Sequence, residues 1–156
     1  MADVKKGIIL KGIGGLYFVE TADAVFECKA RGIFRKSGRK PLVGDEVDIL
    51  IGEDGANNTI EKIYPRRSEL MRPPVANLDR LFILSSVRDP NPSTLIIDKM
   101  TAIACWKNIE PVIVITKDDL GDTSELRGIY EKAGIPFFSV SSRDGRGADE
   151  VKAMLS

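Results

Sequence analysis

The hydrophobic pattern of the chain changes near residue 79. Before that point, apolar and polar residues alternate in short stretches, as at 24–30 and 46–51, and turn residues such as Gly14-Gly15 separate them. Strict alternation is typical of half-buried strands. Five such strands without a convincing helix predict a small β-barrel. An OB-type barrel is favoured, and the spacing leaves an SH3-like barrel open as the alternative.

After residue 79, apolar strands alternate with helical patterns. Continuous apolar runs predict three buried strands, at 81–87, 111–115 and 136–140. Apolar residues spaced by three and four predict the helices between them. Their expected buried faces are Ile96, Met100, Ile103 and Ala104 in the first helix and Leu126, Ile129, Tyr130 and Ala133 in the second. The order β-α-β-α-β-α predicts a parallel sheet with crossover helices.

The two patterns divide the chain into three parts. We expect a barrel over residues 1–68, a linker or switch-like loop over 69–78, and an α/β domain over 79–156. Hydrophobic residues make up 43% of the chain and charged residues 29%, which is typical of soluble globular proteins. No apolar run approaches the ~20 residues that cross a bilayer, and no secretory signal opens the chain. We therefore expect a cytoplasmic protein without a membrane partner.

The chain contains no histidine, which narrows its possible chemistry. Cys28 and Cys105 are the only cysteines and form no CxxC pair, so the residues predict neither a zinc site nor a disulfide framework. Nucleophilic mechanisms that need an imidazole base are excluded. We expect no catalytic and no metal-ligating residue in these 156 residues.

The formal net charge of +0 hides a local excess of positive charge. The segment 29–44 lacks acidic residues and carries six basic ones: Lys29, Arg31, Arg35, Lys36, Arg39 and Lys40. Because phosphates respond to the local field, this segment is a candidate RNA-binding surface. A solvated basic loop is the alternative. Tyr17, Phe18 and Phe34 are potential base-stacking residues, although Tyr17 and Phe18 point to opposite faces of their strand.

Polar residues follow two strands of the predicted sheet, at the edge where ligands of open parallel sheets bind. They are Thr116, Lys117, Asp118 and Asp119 after the first strand, and Ser141, Ser142 and Arg143 after the second. The first group fits the [N/T]KxD pattern of guanine-nucleotide-binding proteins. The two oxygens of Asp119 can accept the N1–H and 2-amino donors of guanine, with Lys117 along the base. Asp119 or Asp122 as a simple helix cap is the alternative.

The sequence as a whole resembles the ribosome small-subunit-dependent GTPase A family. The resemblance rests on the basic barrel loop, a proline-rich arginine segment, the stretch 77–84, and the motifs TKDDL and SVSS in that order. In this family the GTPase domain is circularly permuted. The resemblance implies an OB-fold domain that binds rRNA, guanine recognition by TKxD, and GTP or GDP with magnesium. It also implies GTP hydrolysis stimulated by the small ribosomal subunit during late maturation of that subunit.

The sequence also departs from the family pattern. Thr116 replaces the usual asparagine, which removes an amide donor. No GxxxxGK[ST] phosphate loop occurs, and the family's C-terminal zinc domain has no counterpart. We expect an N-terminal fragment that does not hydrolyse GTP by itself, because it lacks the groups that position and neutralise the phosphates. A standalone OB-fold RNA-binding adaptor with a degenerate α/β half is the alternative.

Overall fold

The first part of the chain folds into a closed five-stranded barrel. The computed structural model describes residues 3–36, 38–53 and 57–155, in two compact units, Met1–Leu78 and Asp79–Ser156. The barrel strands are β1 (Asp3–Ile13), β2 (Leu16–Thr21), β3 (Val25–Ala30), β4 (Glu46–Ile51) and β5 (Asn58–Ile63). Their order is β1-β2-β3-β5-β4, with β1 pairing antiparallel to β4 and β3 parallel to β5. This topology confirms the OB-type barrel.

Alternate side chains of the strands fill the barrel. Its buried core consists of Ile9, Val19, Cys28, Val47, Ile49, Ile60 and Ile63. Since successive strand residues point to opposite faces, the alternation in the sequence records directly which residues lie inside. Burying each such aliphatic side chain contributes about 1.5–3 kcal/mol.

A short helix, α1 (Gly32–Lys36), lies within the basic segment, where the sequence pattern predicts none. Phe34 packs against the barrel core, whereas Ile33 is exposed. Five residues span little more than one helical turn, so the segment is too short to show a helical period.

The predicted linker region 69–78 contains a hairpin of β6 (Glu69–Met71) and β7 (Pro74–Ala76). The side-chain amide of Asn77 donates to the carbonyl of Gly44 at 2.9 Å. Gly44 has a φ of +86°, and a Cβ on it would lie 2.1 Å from the carbonyl oxygen of Ala76. These contacts fasten the hairpin to the segment that precedes β4.

The second unit is a parallel sheet with the order β10-β9-β8. Its elements are β8 (Arg80–Ser86), α2 (Thr94–Trp106), β9 (Glu110–Thr116), a 3₁₀ turn (Asp118–Leu120), α3 (Ser124–Lys132), β10 (Phe137–Ser139) and α4 (Ala148–Ala153). This order confirms the predicted alternation of strands and helices. The central strand β9 buries five consecutive residues, as a strand covered on both faces must.

Two of the four residues predicted for the buried face of α2, Met100 and Ala104, do contact the core. Ile97, Thr101 and Ala104 are buried, whereas Ile96 and Ile103 are exposed. Ile96 and Ile97 are adjacent and both apolar, so periodicity alone could not show which of them faces the core. Within the described ranges, none of the helices is both long and apolar enough to cross a membrane.

The predicted face of α3 is only partly correct. Tyr130 is buried and Leu126 packs against the core of the second unit, whereas Ile129 and Ala133 are exposed. The phenol of Tyr130 donates to Asp98 on α2 at 2.8 Å, which joins the two helices.

Candidate functional site

Two loops follow adjacent parallel strands at the carboxyl edge of the sheet. The 117–123 loop follows β9 and the 140–147 loop follows β10. The backbone N–H of Val140 donates to the carbonyl of Ile115 at 2.8 Å, and the N–H of Asp118 donates to the carbonyl of Val140 at 3.1 Å. The sheet pairing thus continues into the loops and holds them side by side.

The carboxylate of Asp119 is held by the 140–147 loop. Ser141, which is 2% exposed, donates its hydroxyl to Oδ1 of Asp119 at 3.0 Å. The other oxygen, Oδ2, lies 4.0 Å from the guanidinium of Arg143. The Asp119 side chain is 20% exposed, and its oxygens have lone pairs left for a ligand. The structure therefore brings Asp119 and Ser141 together, with Ser142 exposed beside them.

Asp122, which precedes the N-cap residue Thr123, bonds the start of α3. Oδ1 of Asp122 accepts the backbone N–H of Ser124, the first residue of α3, at 2.9 Å. The hydroxyl and the backbone N–H of Ser124 hold the pKa of Asp122 below its ordinary value. Asp119 is thus not needed to start the helix.

Thr116 and Lys117 connect the 117–123 loop to the end of β8. The hydroxyl of Thr116 donates to the carbonyl of Ser85 at 3.1 Å. Lys117 adopts a left-handed φ of +59°, and its ammonium donates to the carbonyls of Arg88, at 3.3 Å, and Asp89. Threonine at the usual asparagine position therefore supports the neighbouring strand through its hydroxyl.

Asp118 has partners of its own. Its Oδ2 accepts from Nη1 of Arg146 at 3.0 Å, and its Oδ1 accepts from the hydroxyl of Thr123 at 3.3 Å. The charges of Asp144 and Asp118 hold the pKa of Arg146 above its ordinary value. Sequence reasoning missed Arg146 and Thr123, and the available signal was only a basic residue inside the turn sequence DGRG at 144–147.

The predicted RNA-binding residues have different surroundings. Arg31 forms an ion pair with Glu61, and Arg39 donates to the carbonyl of Tyr64 at 2.7 Å. Lys29 is exposed on β3. The side chains of Arg35 and Lys36 lie outside the described residues.

Lys40 lines an open cavity of about 430 Å³ beside the turn between β1 and β2. Tyr17 and Phe34 border this cavity and pack partly against the barrel core. A Cβ on Gly12 would lie 3.2 Å from the Tyr17 ring, so glycine lets the ring lie close to the backbone. The described lining residues include no carboxylate. The cavity therefore combines aromatic surface with one positive charge.

Metal binding finds little support in the described part of the chain, where no three His, Cys, Asp or Glu side chains converge on one position. Cys28 is buried in the barrel and Cys105 is exposed in the second unit. Burial raises the pKa of Cys28 to about 11. Among the described residues, the two cysteines therefore form no part of a metal site.

Comparisons with known proteins relate the chain to one family. The family model described as RsgA GTPase matches residues 63–156, and that described as RsgA N-terminal domain matches residues 6–57. The small ribosomal subunit biogenesis GTPase RsgA of Alkaliphilus metalliredigens is 42% identical, across 97% of this chain and 53% of the relative. The protein of that name from Ruminiclostridium cellulolyticum is 42% identical, across 96% and 50%.

Solved structures show the same relationship. YjeQ from Thermotoga maritima superimposes with a TM-score of 0.83 at 32% identity, over 99% of this chain and 58% of that one. YloQ, described as a circularly permuted GTPase, gives a TM-score of 0.78 at 31% identity, over 90% and 53%. The chain thus spans about half the length of the curated relatives it matches. The comparisons confirm the resemblance found in the sequence: the chain belongs to the RsgA GTPase family.

Proposed function

We propose that this chain carries the guanine-recognition loops and the RNA-binding barrel of a GTPase that acts on the small ribosomal subunit. The contact between Asp119 and Ser141 carries the proposal, because it joins loops after two adjacent parallel strands. The name of the relatives, small ribosomal subunit biogenesis GTPase, supports the choice of partner. In this proposal, residues 1–68 form the barrel that binds rRNA and residues 79–156 form the first part of the GTPase domain. Residues 69–78 link the two.

Asp119 is the proposed reader of the base. Its two oxygens accept the N1–H and the 2-amino group of guanine, while Ser141 fixes the orientation of the carboxylate. Adenine lacks this pair of donors and would leave the carboxylate unpaired, which supports selectivity on the order of 10⁴-fold. The other proposed base-binding residues, which shape the two loops, are Thr116, Lys117, Asp118 and Ser142.

The test is Asp119→Asn in the full polypeptide that the gene encodes. We expect the unaltered protein to bind GDP far more tightly than ADP. The substitution should weaken GDP about 100-fold or more and favour XDP, because an amide can donate to the 2-oxo group of xanthine. Asp122→Asn is the matched control, since it removes the same charge from the same loop. Equal losses for GDP and XDP would contradict the role of Asp119.

Hydrolysis is proposed for the full polypeptide, with magnesium and with the small subunit as stimulator. The 156 residues contain no GxxxxGK[ST] motif, so the chain alone should release no phosphate from GTP, even with added subunits. A phosphate-release assay tests this directly. The proposed partner implies a cytoplasmic location.

The proposed rRNA contact is the basic segment with Lys29, Arg31, Arg35, Lys36, Arg39 and Lys40. Two observations support it: Lys29 is exposed, and the described residues that line the cavity at Lys40 include no carboxylate. Replacing both lysines by alanine should weaken rRNA binding. It should also reduce the slope of the logarithm of the binding constant against the logarithm of the salt concentration by roughly one to two. Lys132→Ala with Lys152→Ala is the control of equal charge. RNA binding without any affinity for guanine nucleotides would instead favour the adaptor alternative.

A further inference from the structure

The geometry points to Arg146 as a positioning residue for guanine recognition. Its guanidinium ties the 140–147 loop to the 117–123 loop through Asp118, and so sets the position from which Asp119 meets the base. This inference rests on the proposed function and adds a residue outside the TKxD and SSR motifs.

Arg146 is anchored within its own loop before it reaches across. Its Nη2 donates to Oδ2 of Asp144 at 2.8 Å, and its backbone N–H donates to Oδ1 of the same carboxylate at 3.2 Å. Its carbonyl accepts the N–H of Ser141 at 3.0 Å. The residue that reaches Asp118 is therefore bonded through its backbone to the residue that holds Asp119.

Two consecutive carboxylates thus bind two different partners in the same loop. Asp118 binds Arg146 at 3.0 Å, and Asp119 binds Ser141 at 3.0 Å. Asp118 also accepts from Thr123, so each of its oxygens has a partner within the two loops. The contacts of Asp118 and Asp119 therefore fix the loops to each other at two points, one of them at Asp119 itself.

Bases with different numbers of hydrogen-bond donors can show whether Arg146 positions Asp119 or only stabilises the loop. Guanine offers Asp119 two donors, whereas hypoxanthine offers only N1–H. A two-point contact needs both oxygens aligned, and hydrogen bonds weaken steeply as their angle departs from linearity. A loosened 117–123 loop should therefore lose the contact to the 2-amino group first. A merely structural role would weaken GDP and IDP equally.

The experiment measures GDP and IDP binding to the full polypeptide by calorimetry at low salt. Arg146→Gln should weaken GDP about fivefold, the upper range for an exposed ion pair, and IDP less than about twofold. Asp118→Asn should have the same effect, and the double variant should lose nothing further, because either change breaks the same tie. Lys152→Gln removes a positive charge from α4 and should change neither affinity.

The outcomes separate this inference from the proposed function. An unaltered protein that binds GDP no better than ADP would overturn the proposed function. If GDP is preferred but Arg146→Gln leaves the ratio of GDP to IDP affinity unchanged, guanine recognition stands and the role of Arg146 is wrong. Additive losses in the double variant would also overturn it. Asp118→Asn keeps the test decisive should Arg146→Gln fold poorly.

Discussion

An arginine binds an aspartate in each of the two units, but in opposite surroundings. In the first unit, Nε and Nη2 of Arg66 bind the two oxygens of Asp45 at 2.7 and 2.8 Å. Asp45 is completely buried and the Arg66 side chain is only 12% exposed. In the second unit, Arg146 is 59% exposed and contacts Asp118 through one oxygen.

This difference determines what each pair can do. A buried charge that loses its partner has no water to replace it, whereas an exposed one is solvated again at little cost. Asp45 also accepts the N–H of Leu42, and Arg66 donates to the carbonyl of Lys40, both at the end of the basic segment. Removing one partner of the Arg66–Asp45 pair should therefore destabilise the fold, whereas the Arg146–Asp118 pair orients a loop.

The largest expected effect comes from breaking the buried pair. Asp45→Ala leaves the Arg66 charge without its main partner and should lower the free energy of unfolding by about 3–5 kcal/mol. Because Cys28 is buried in the barrel core, thiol labelling of Cys28 in urea, in a Cys105→Ser background, reports barrel unfolding. The control is Glu69→Ala, which removes a partner of Arg66 that is 45% exposed. Equal losses for the two variants would contradict the importance of burial.

Two glycines of the 140–147 loop also differ in their surroundings, one being crowded and the other open. Both Gly145 and Gly147 have a φ near +75°, but a Cβ on Gly147 would lie 2.1 Å from the carbonyl oxygen of Ser139, while one on Gly145 meets open space. Gly147→Ala should therefore cost about 2–5 kcal/mol, from left-handed strain plus overpacking. Gly145→Ala should cost only the strain, about 1–2 kcal/mol.

The measurement is amide hydrogen exchange in β9 of the two glycine variants. The central strand of the second unit exchanges only when that unit opens, so its protection reports the stability of the unit. Similar protection in both variants would show that the loop can move away from Ser139, and would weaken the case that the 140–147 loop is rigidly placed.

The sequence predicts the elements and part of the candidate site because buried strands can be recognised from a few neighbouring residues. Alternation marks the barrel strands, and Asp119 and Ser141 could be found because each comes shortly after an apolar strand. The sequence does not indicate which residues a long side chain such as arginine contacts. Arg66 belongs to a basic stretch in the sequence but is buried against Asp45, and the reach of Arg146 to Asp118 depends on two loops meeting in space.

The smallest expected effect comes from the exposed pair, and salt is the means to separate it from the buried one. Arg146→Gln should lower the stability of the second unit by less than about a quarter of the loss that Asp45→Ala causes in the barrel.

Salt shortens the screening length from about 10 Å at 0.1 M to about 3 Å at 1 M. The small difference between Arg146→Gln and the unaltered protein should therefore vanish at 1 M NaCl in the β9 exchange assay. The loss caused by Asp45→Ala should persist, because few ions reach a completely buried carboxylate. A loss for Arg146→Gln that resists salt would mean that this pair also stabilises the fold, and the contrast between the two arginines would then fail.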